Sequence, residues 1–301
     1  MRTPHPIPYQ GSKRRLSGAI VSCLPKRVAR LVEPFAGSAA IALAAAAGGK
    51  ARRFWLNDIN EALIALWRSI LESPDELADQ YRRLWEQQTG SERSFYLDVR
   101  RGFNQTGRPD YFLYLLARCV KASVRYNAAG EFNQSPDNRR RGARPDTMAR
   151  EIKAASLLLG RSCQLTCLDY RDVLAETTPS DVVYLDPPYQ GVCGKRDPRY
   201  AQSVAFDQIV ESLSGLCERH IPFIVSYDGR TGDKEHGRLL PSQLNLVRVE
   251  LEAGPSTQAT LLGRRRVTFE SLYLSPALLA MMKKERRRLP GHTKTLSLLD
   301  A

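Results

Sequence analysis

The sequence has no run of apolar residues long enough to cross a bilayer. Its best candidate, "IALAAAAGG" from Ile41, falls short of the roughly 20 residues that a spanning helix needs. The N-terminus, "MRTPHPIPYQG", has no apolar core of the kind a secretion signal requires. Cytoplasmic residence without a membrane partner is the expectation. Histidine is scarce, at four residues, and the six cysteines (Cys23, Cys119, Cys163, Cys167, Cys193 and Cys217) are scattered without a paired CxxC element. Neither a zinc module nor a disulfide framework is supported, so no metal is expected and the thiols should be reduced and mostly buried or half-buried. Two phosphate-cradling patterns, GxGxxG and GxxxxGK[ST], are also missing. A ligand carrying adenosine without a pyrophosphate suits the chain better than a dinucleotide or a nucleoside triphosphate.

What is present in excess is positive charge. The 301 residues carry a formal net charge of +13, on an otherwise ordinary globular mixture with 43% hydrophobic and 26% charged residues. Such an excess bears on association rather than on fold, and a polyanion such as nucleic acid fits it best. The length is enough for one large α/β domain, or for a core with an inserted module.

Strand-and-turn units recur along the chain. Val28–Glu33 reads as a short buried strand, "PFAGS" as a glycine turn and Ala39–Ala47 as a tightly packed helix, the unit of a parallel doubly wound sheet. A second strand through Phe54–Leu56 is followed by Asp58, roughly twenty positions beyond Gly37, where an acid can bind a ribose. Capping of the next helix by Asn57 or Asp58 accounts for the same residues on local grounds. Gln164–Leu168 reads as a third strand with Asp169 at its end, and "VVYLDPPYQG" as a fourth that delivers Asp186. A crossover helix from near Phe206 and a strand in "IPFIVSYDG" follow. "LNLVRVELEA" and "RRVTFESLYLSP" close the sheet, one of them antiparallel. In such sheets ligands bind outside the carboxyl ends of the strands, and the acids fall there repeatedly.

Between Ser73 and Arg150 the composition changes. Helical pieces ("ELADQYRRLWEQQ", "SFYLDVRRGFN", "PDYFLYLLARCVKA") lead to "RYNAAGEFN", which reads as a hairpin, and to a basic patch of Arg139, Arg140, Arg141 and Arg144. The expected organisation is a catalytic part over residues 1–72, an inserted target-recognition module over 73–150 and a second catalytic part over 151–301 with a basic tail. Aromatic residues interleaved with arginines favour nucleic acid over a merely solvated face.

The ordered set "PYQGSKRR", "VEPFAGSAAI", "LNDIN", "RYNAAGEFNQSP", "LDPPY" and "FDQ" resembles the S-adenosylmethionine-dependent DNA adenine-N6 methyltransferases of the Dam-like class, with α-class motif order, over most of the chain. The family more often has tryptophan and a double glycine where this chain has Tyr9 and Gly11-Ser12. The resemblance implies a Rossmann-like, seven-stranded, doubly wound sheet with a mainly helical insertion. It places Tyr9, Gly11 and Lys13 at the cofactor, with Pro34, Phe35, Ala36, Gly37 and Ser38 along its methionine side. Asp58 falls on the ribose hydroxyls and Asp169 near the adenine amine, with Asp172 as a rival. Asp186, Pro187, Pro188 and Tyr189 become the catalytic segment, Asp186 also bordering the cofactor. Arg125, Tyr126, Asn127 and Asn133 are implied at the bases of double-stranded DNA, with Lys13, Arg14, Arg139, Arg140, Arg141 and Arg144 at phosphates. A monomer or weak dimer beside the nucleoid is expected, with a restriction endonuclease of the same target as a further partner.

The chemistry suits these residue types. Adenine's exocyclic amine is a poor nucleophile because its lone pair is delocalised into the ring. Asp186 and the Pro187 carbonyl can accept its two N–H groups, the prolines stiffen the segment, and Tyr189 can stack on an extruded base. The same chemistry could serve an RNA adenine or a cytosine N4 amine. A non-catalytic nucleic-acid-binding protein on the same scaffold is the alternative from another class.

Overall fold

A computed structural model describes residues 2–188, 204–231, 234–255, 267–285 and 294–296. The five parallel strands are β1 (Val28–Glu33), β2 (Ala51–Asn57), β3 (Cys163–Thr166), β4 (Asp181–Leu185) and β5 (Phe223–Thr231). The three-residue β6 (Lys234–His236) pairs with β5, while β7 (Val247–Pro255) and β8 (Val267–Leu274) pair with each other. With β9 (Lys294–Leu296) the order is β3-β2-β1-β4-β5-β8-β7-β9. The seven expected strands form one continuous path, and β6 and β9 are short additions. β8 runs antiparallel to β5, and β7 antiparallel to β8, so β8 is the strand of the seven that opposes the rest.

Side chains alternate across the sheet. Leu31, Phe54, Leu56, Val182 and Tyr184 enter one core, and Val32, Trp55, Val183 and Leu185 the other. The two-residue period of a strand requires this when both faces are covered. The first face carries α1 (Ser17–Ser22), the alanine-rich α2 (Ala40–Ala47) and α3 (Glu61–Glu72), and the helical insertion shares its core. That insertion comprises α4 (Pro74–Gln87), α5 (Glu92–Thr106) and α6 (Pro109–Arg118), followed by α7 (Pro145–Leu159). Helix α7 packs against both α2 and α4, so it spans the expected limit at residue 150. The opposite face carries α8 (Tyr170–Ala175) and α9 (Phe206–Glu218), and α10 (Pro276–Lys284) follows β8.

Three local expectations change. Helix α6 stops at Arg118, before "CVKA", because Lys121 (φ 60°) and Ala122 (φ 51°) turn left-handed while Val120 N donates to the distant Ser135 O. Strand β3 ends at Thr166, two residues early, because the Asn57 side chain takes both the N–H and the C=O of Leu168. The cap of α3 is Asn60, which accepts from Leu63 N, and neither Asn57 nor Asp58. Among the described cysteines Cys23 and Cys119 are buried, Cys163 and Cys217 half-buried and Cys167 exposed, all of them free; Cys193 lies outside the described residues. No described helix is long and apolar enough to cross a membrane.

Candidate active site

The strand order reverses between β1 and β4, and the loops after β1, β2, β3 and β4 converge at their carboxyl ends. After β1, Gly37 adopts φ +49°, and a Cβ there would lie 3.4 Å from the Tyr9 ring. Tyr9 therefore packs over the glycine turn. Gly11 (φ 82°) allows its own loop to bend back, and Ser12 Oγ meets Ser38 Oγ at 2.7 Å. Trp67 Nε1 donates to Gly37 O at 2.9 Å, fixing the turn from α3.

Asp58 accepts the backbone N–H of Gly37 and of Asn60, each at 3.0 Å, on different oxygens. The bonds rigidify the carboxylate and leave each oxygen a second lone pair. Burial pushes its pKa up, and the two N–H groups oppose that. Asn57, the last residue of β2, is completely buried and ties the loop after β1 to the loop after β3. Its Nδ2 donates to Pro34 O and Leu168 O, and its Oδ1 accepts from Leu168 N and Thr166 Oγ1. On the same rim Ile59 is 47% and Leu168 37% exposed, unusual for such large apolar side chains, and Cys167 Sγ donates to Ile59 O.

Asp169 caps α8 through Arg171 N and is also gripped by the Arg171 guanidinium, which holds its carboxyl below the usual range. Asp172 lies in the first turn of α8, exposed. The Phe35 and Tyr170 rings lie against each other, their centroids 5.0 Å apart.

Asp186 follows β4, with Pro187 buried and Pro188 half-buried beside it. Its side chain keeps 22% of its surface open, and its Oδ1 is 2.8 Å from Lys13 Nζ. Burial raises its pKa and the Lys13 ammonium opposes the rise. Lys13 is only 8% exposed and its ammonium lies on Asp186, whereas Arg14, next in sequence, is exposed. Tyr189 lies outside the described residues.

The expected hairpin is present: Asn127 N donates to Glu131 O, Asn133 N to Arg125 O, and Tyr126 bridges Phe132. Two of its members are engaged internally. Asn127 holds the turn through Ala129 N, Glu131 N and the Glu131 carboxylate. Tyr126 packs edge-on against Phe132 and bonds Asn60 Oδ1 at 3.2 Å. Arg125 is half-buried and Asn133 exposed. Arg139, Arg140 and Arg144 are exposed, and Arg141 reaches Glu92 at 2.7 Å while remaining 60% exposed.

Sequence reasoning missed Asn57 and Asn60 as supports, although both stand in the quoted "LNDIN". It also passed over two acids near Asp186. Glu33 ends β1 and accepts Ala42 N inside the first turn of α2; burial pushes its pKa up to about 8. Glu270 of β8 lies 3.3 Å from Lys13 Nζ. Its only signal was that it carries the single charge of that strand.

The family model of D12 class N6 adenine-specific DNA methyltransferases matches residues 9–252, which include every loop just described. The chain belongs to that family. It is 29% identical to the DNA adenine methylase of Escherichia coli K12 over 73% of this chain and 79% of that one. Against the DNA adenine methylase of Salmonella typhimurium the identity is 26%, covering 84% and 90% of the two chains. A shorter match, 31% identical over 53% of this chain and 57% of the other, is to the Serratia marcescens DNA adenine methylase. This D12 enzyme is accordingly a DNA-binding adenine-N6 methyltransferase that uses S-adenosylmethionine.

Proposed function

We propose that methyl transfer occurs at the switch point between β1 and β4, with Asp186 and the Pro187 carbonyl holding the amine of an adenine extruded from duplex DNA. The observation that carries this is a partly open carboxylate, Asp186, whose Oδ1 is fixed by buried Lys13, leaving Oδ2 for an amine N–H. Both acceptors are set before reaction, so they favour positive charge on N6 without reorganising. Pro187 and Pro188 lack N–H groups and have fixed φ, which keeps the segment from competing for its own carbonyls.

The residues present fit S-adenosylmethionine. The left-handed Gly37 turn lies against the Tyr9 ring, so this part of the wall is backbone and an aromatic face with no side chain projecting between them. Asp58 keeps lone pairs for ribose hydroxyls, and the exposed faces of Ile59 and Leu168 suit the two sides of a purine. Asp169, its oxygens directed by Arg171, is better placed than Asp172 to meet the adenine amine, because it lies in the loop rather than along α8. Pro34, Phe35, Ala36 and Ser38 complete the wall beside the methionine part. The bound cofactor supplies an electrophilic methyl group on a sulfonium. Asp186 and the Pro187 carbonyl would orient the N6 lone pair toward that methyl group, and Asp186 Oδ2 or solvent would take the proton the amine gives up.

Recognition falls to the hairpin, where Arg125 and Asn133 are the candidates for base edges, Tyr126 and Asn127 shape the loop, and Arg14, Arg139, Arg140, Arg141 and Arg144 lie on the phosphate track. Tyr189 stacks on the extruded base in this reading, and the enzyme acts as a monomer or weak dimer in the cytoplasm. A restriction endonuclease of the same target is a candidate partner, the alternative being a solitary enzyme. The test is methylation of a mixed-sequence duplex with labelled cofactor by wild type and Asp186→Ala. Transfer should fall at least a thousandfold in the variant while cofactor affinity changes less than about fivefold. Equal loss of both would place Asp186 in cofactor binding instead.

A further inference from the structure

The Lys13 ammonium is clasped by two carboxylates, Asp186 at 2.8 Å and Glu270 at 3.3 Å. Glu270 comes from the middle of β8, where it pairs with Gly229 of β5 and Leu251 of β7, and belongs to none of the strand-end loops. Its Oε2 is sealed from solvent. The approach of β8 is tight: a Cβ at Gly229 would come within 2.5 Å of Phe269 O, so glycine is what lets Glu270 come so close.

The charge at this point bears directly on the reaction. Asp186 with Lys13 alone is a neutral pair, and an ammonium beside the acceptor opposes the cation that forms on N6. Adding Glu270 makes the cluster net negative. A half-buried carboxylate whose sealed oxygen faces a buried lysine also fixes that lysine's rotamer, and so fixes which oxygen of Asp186 stays open.

We propose that Glu270 is a positioning residue for methyl transfer: it keeps Lys13 on Oδ1 of Asp186 and supplies the negative charge that favours the N6 cation. This rests on the reading of Asp186 as the amine acceptor. Among the described residues, the charged and titratable groups facing Asp186 are Lys13 from the short helix Lys13–Arg15, Glu270 from β8, Glu33 from the end of β1 and Tyr184 from β4 itself. Of these, Glu270 adds to the upward push on the Asp186 carboxyl and Lys13 opposes it.

The test uses the full-length enzyme, an unmethylated mixed-sequence duplex and labelled S-adenosylmethionine, with single-turnover rates measured across pH. Glu270→Gln should slow transfer tenfold or more and change the cofactor dissociation constant less than threefold. The acid limb of its pH–rate profile should move to lower pH, because a negative neighbour of Asp186 is gone. Glu270→Asp keeps the charge and should recover both rate and limb in part. A slower Glu270→Gln with an unmoved acid limb would make the residue merely structural. Weaker cofactor binding at an unchanged rate would assign it to the cofactor, and an unchanged enzyme would remove it altogether. If Glu270→Gln is thermally unstable, a folded Glu270→Asp that restores neither rate nor limb overturns the proposal. Asp186→Asn, assayed alongside, separates the two readings. Full activity there removes the amine acceptor itself, whereas an inactive Asp186→Asn beside an unaffected Glu270→Gln overturns only the role of Glu270.

Discussion

Glu33 combines near-complete burial, 2% exposed, with a carboxyl whose pKa is pushed up to about 8. It accepts Ala42 N within α2, a helix whose cap residue, Ala39, has no side chain able to do so. An acid whose folded pKa lies above its unfolded one binds its proton more tightly when folded. Its contribution to stability is therefore full below about 4.5 and is lost as pH rises toward about 8. His5 works in the opposite sense: burial and the nearby Arg14 lower it to about 4, so its contribution grows as pH rises from about 4 to 6.5. The two partly cancel below 6.5, and the fall due to Glu33 should emerge between about 6.5 and 8. Denaturant unfolding of wild type and Glu33→Gln at a series of pH values isolates it. The difference should shift in favour of the glutamine variant with rising pH, by at most about 1.4 kcal/mol per pH unit. A difference that stays flat from pH 5 to 8.5 would mean that Glu33 is already ionised in the folded protein.

At the scale of elements, the hairpin Arg125–Asn133 is tied to Asp58 by one hydroxyl. Tyr126 bonds Asn60 Oδ1, the same oxygen that caps α3, and Asn60 N bonds Asp58. A second link joins Gln10 N, in the Tyr9 loop, to Ala122 O in the left-handed turn before the hairpin. Tyr126→Phe should cost ~1 kcal/mol of unfolding free energy. It should also weaken S-adenosylmethionine a few-fold by calorimetric titration; unchanged affinity would show that Asp58 holds its position without the hairpin. None of this was visible in the pattern "RYNAAGEFN", which announced a hairpin and left its attachment open. The strands were legible because both faces of the sheet are covered and apolar runs end in acids: β1 came out residue for residue. The strand-end acids Asp58, Asp169 and Asp186 were legible for the same reason. What escaped depends on long-range bonds that local patterns do not encode, such as Asn57 cutting β3 short, Ser135 ending α6 early and Lys13 turning inward to Asp186.

For the whole molecule, the excess of +13 matters only where it can be presented to a polyanion. The turn carrying Arg139, Arg140 and Arg141 is held from beneath by buried groups of the insertion: Tyr96 bonds Gln134 O, Gln88 bonds Arg141 O and Tyr81 bonds Ala143 O. The three guanidinium groups point outward, 93%, 66% and 60% exposed, and touch only the acids Asp137 and Glu92 among the described residues. Surface ion pairs of this kind are weak, so exchanging them for phosphates costs little. Neutralising all three, Arg139→Gln, Arg140→Gln and Arg141→Gln together, should leave the fold intact and weaken duplex binding without altering the methylated sequence. The decisive quantity is the slope of log affinity against log salt, which changes by about 0.9 for each phosphate that the protein no longer neutralises. A slope shallower by roughly 2 to 3 would place all three on the DNA backbone, whereas an unchanged slope would leave the phosphate track to Arg14, Arg144 and the rest of the basic surface.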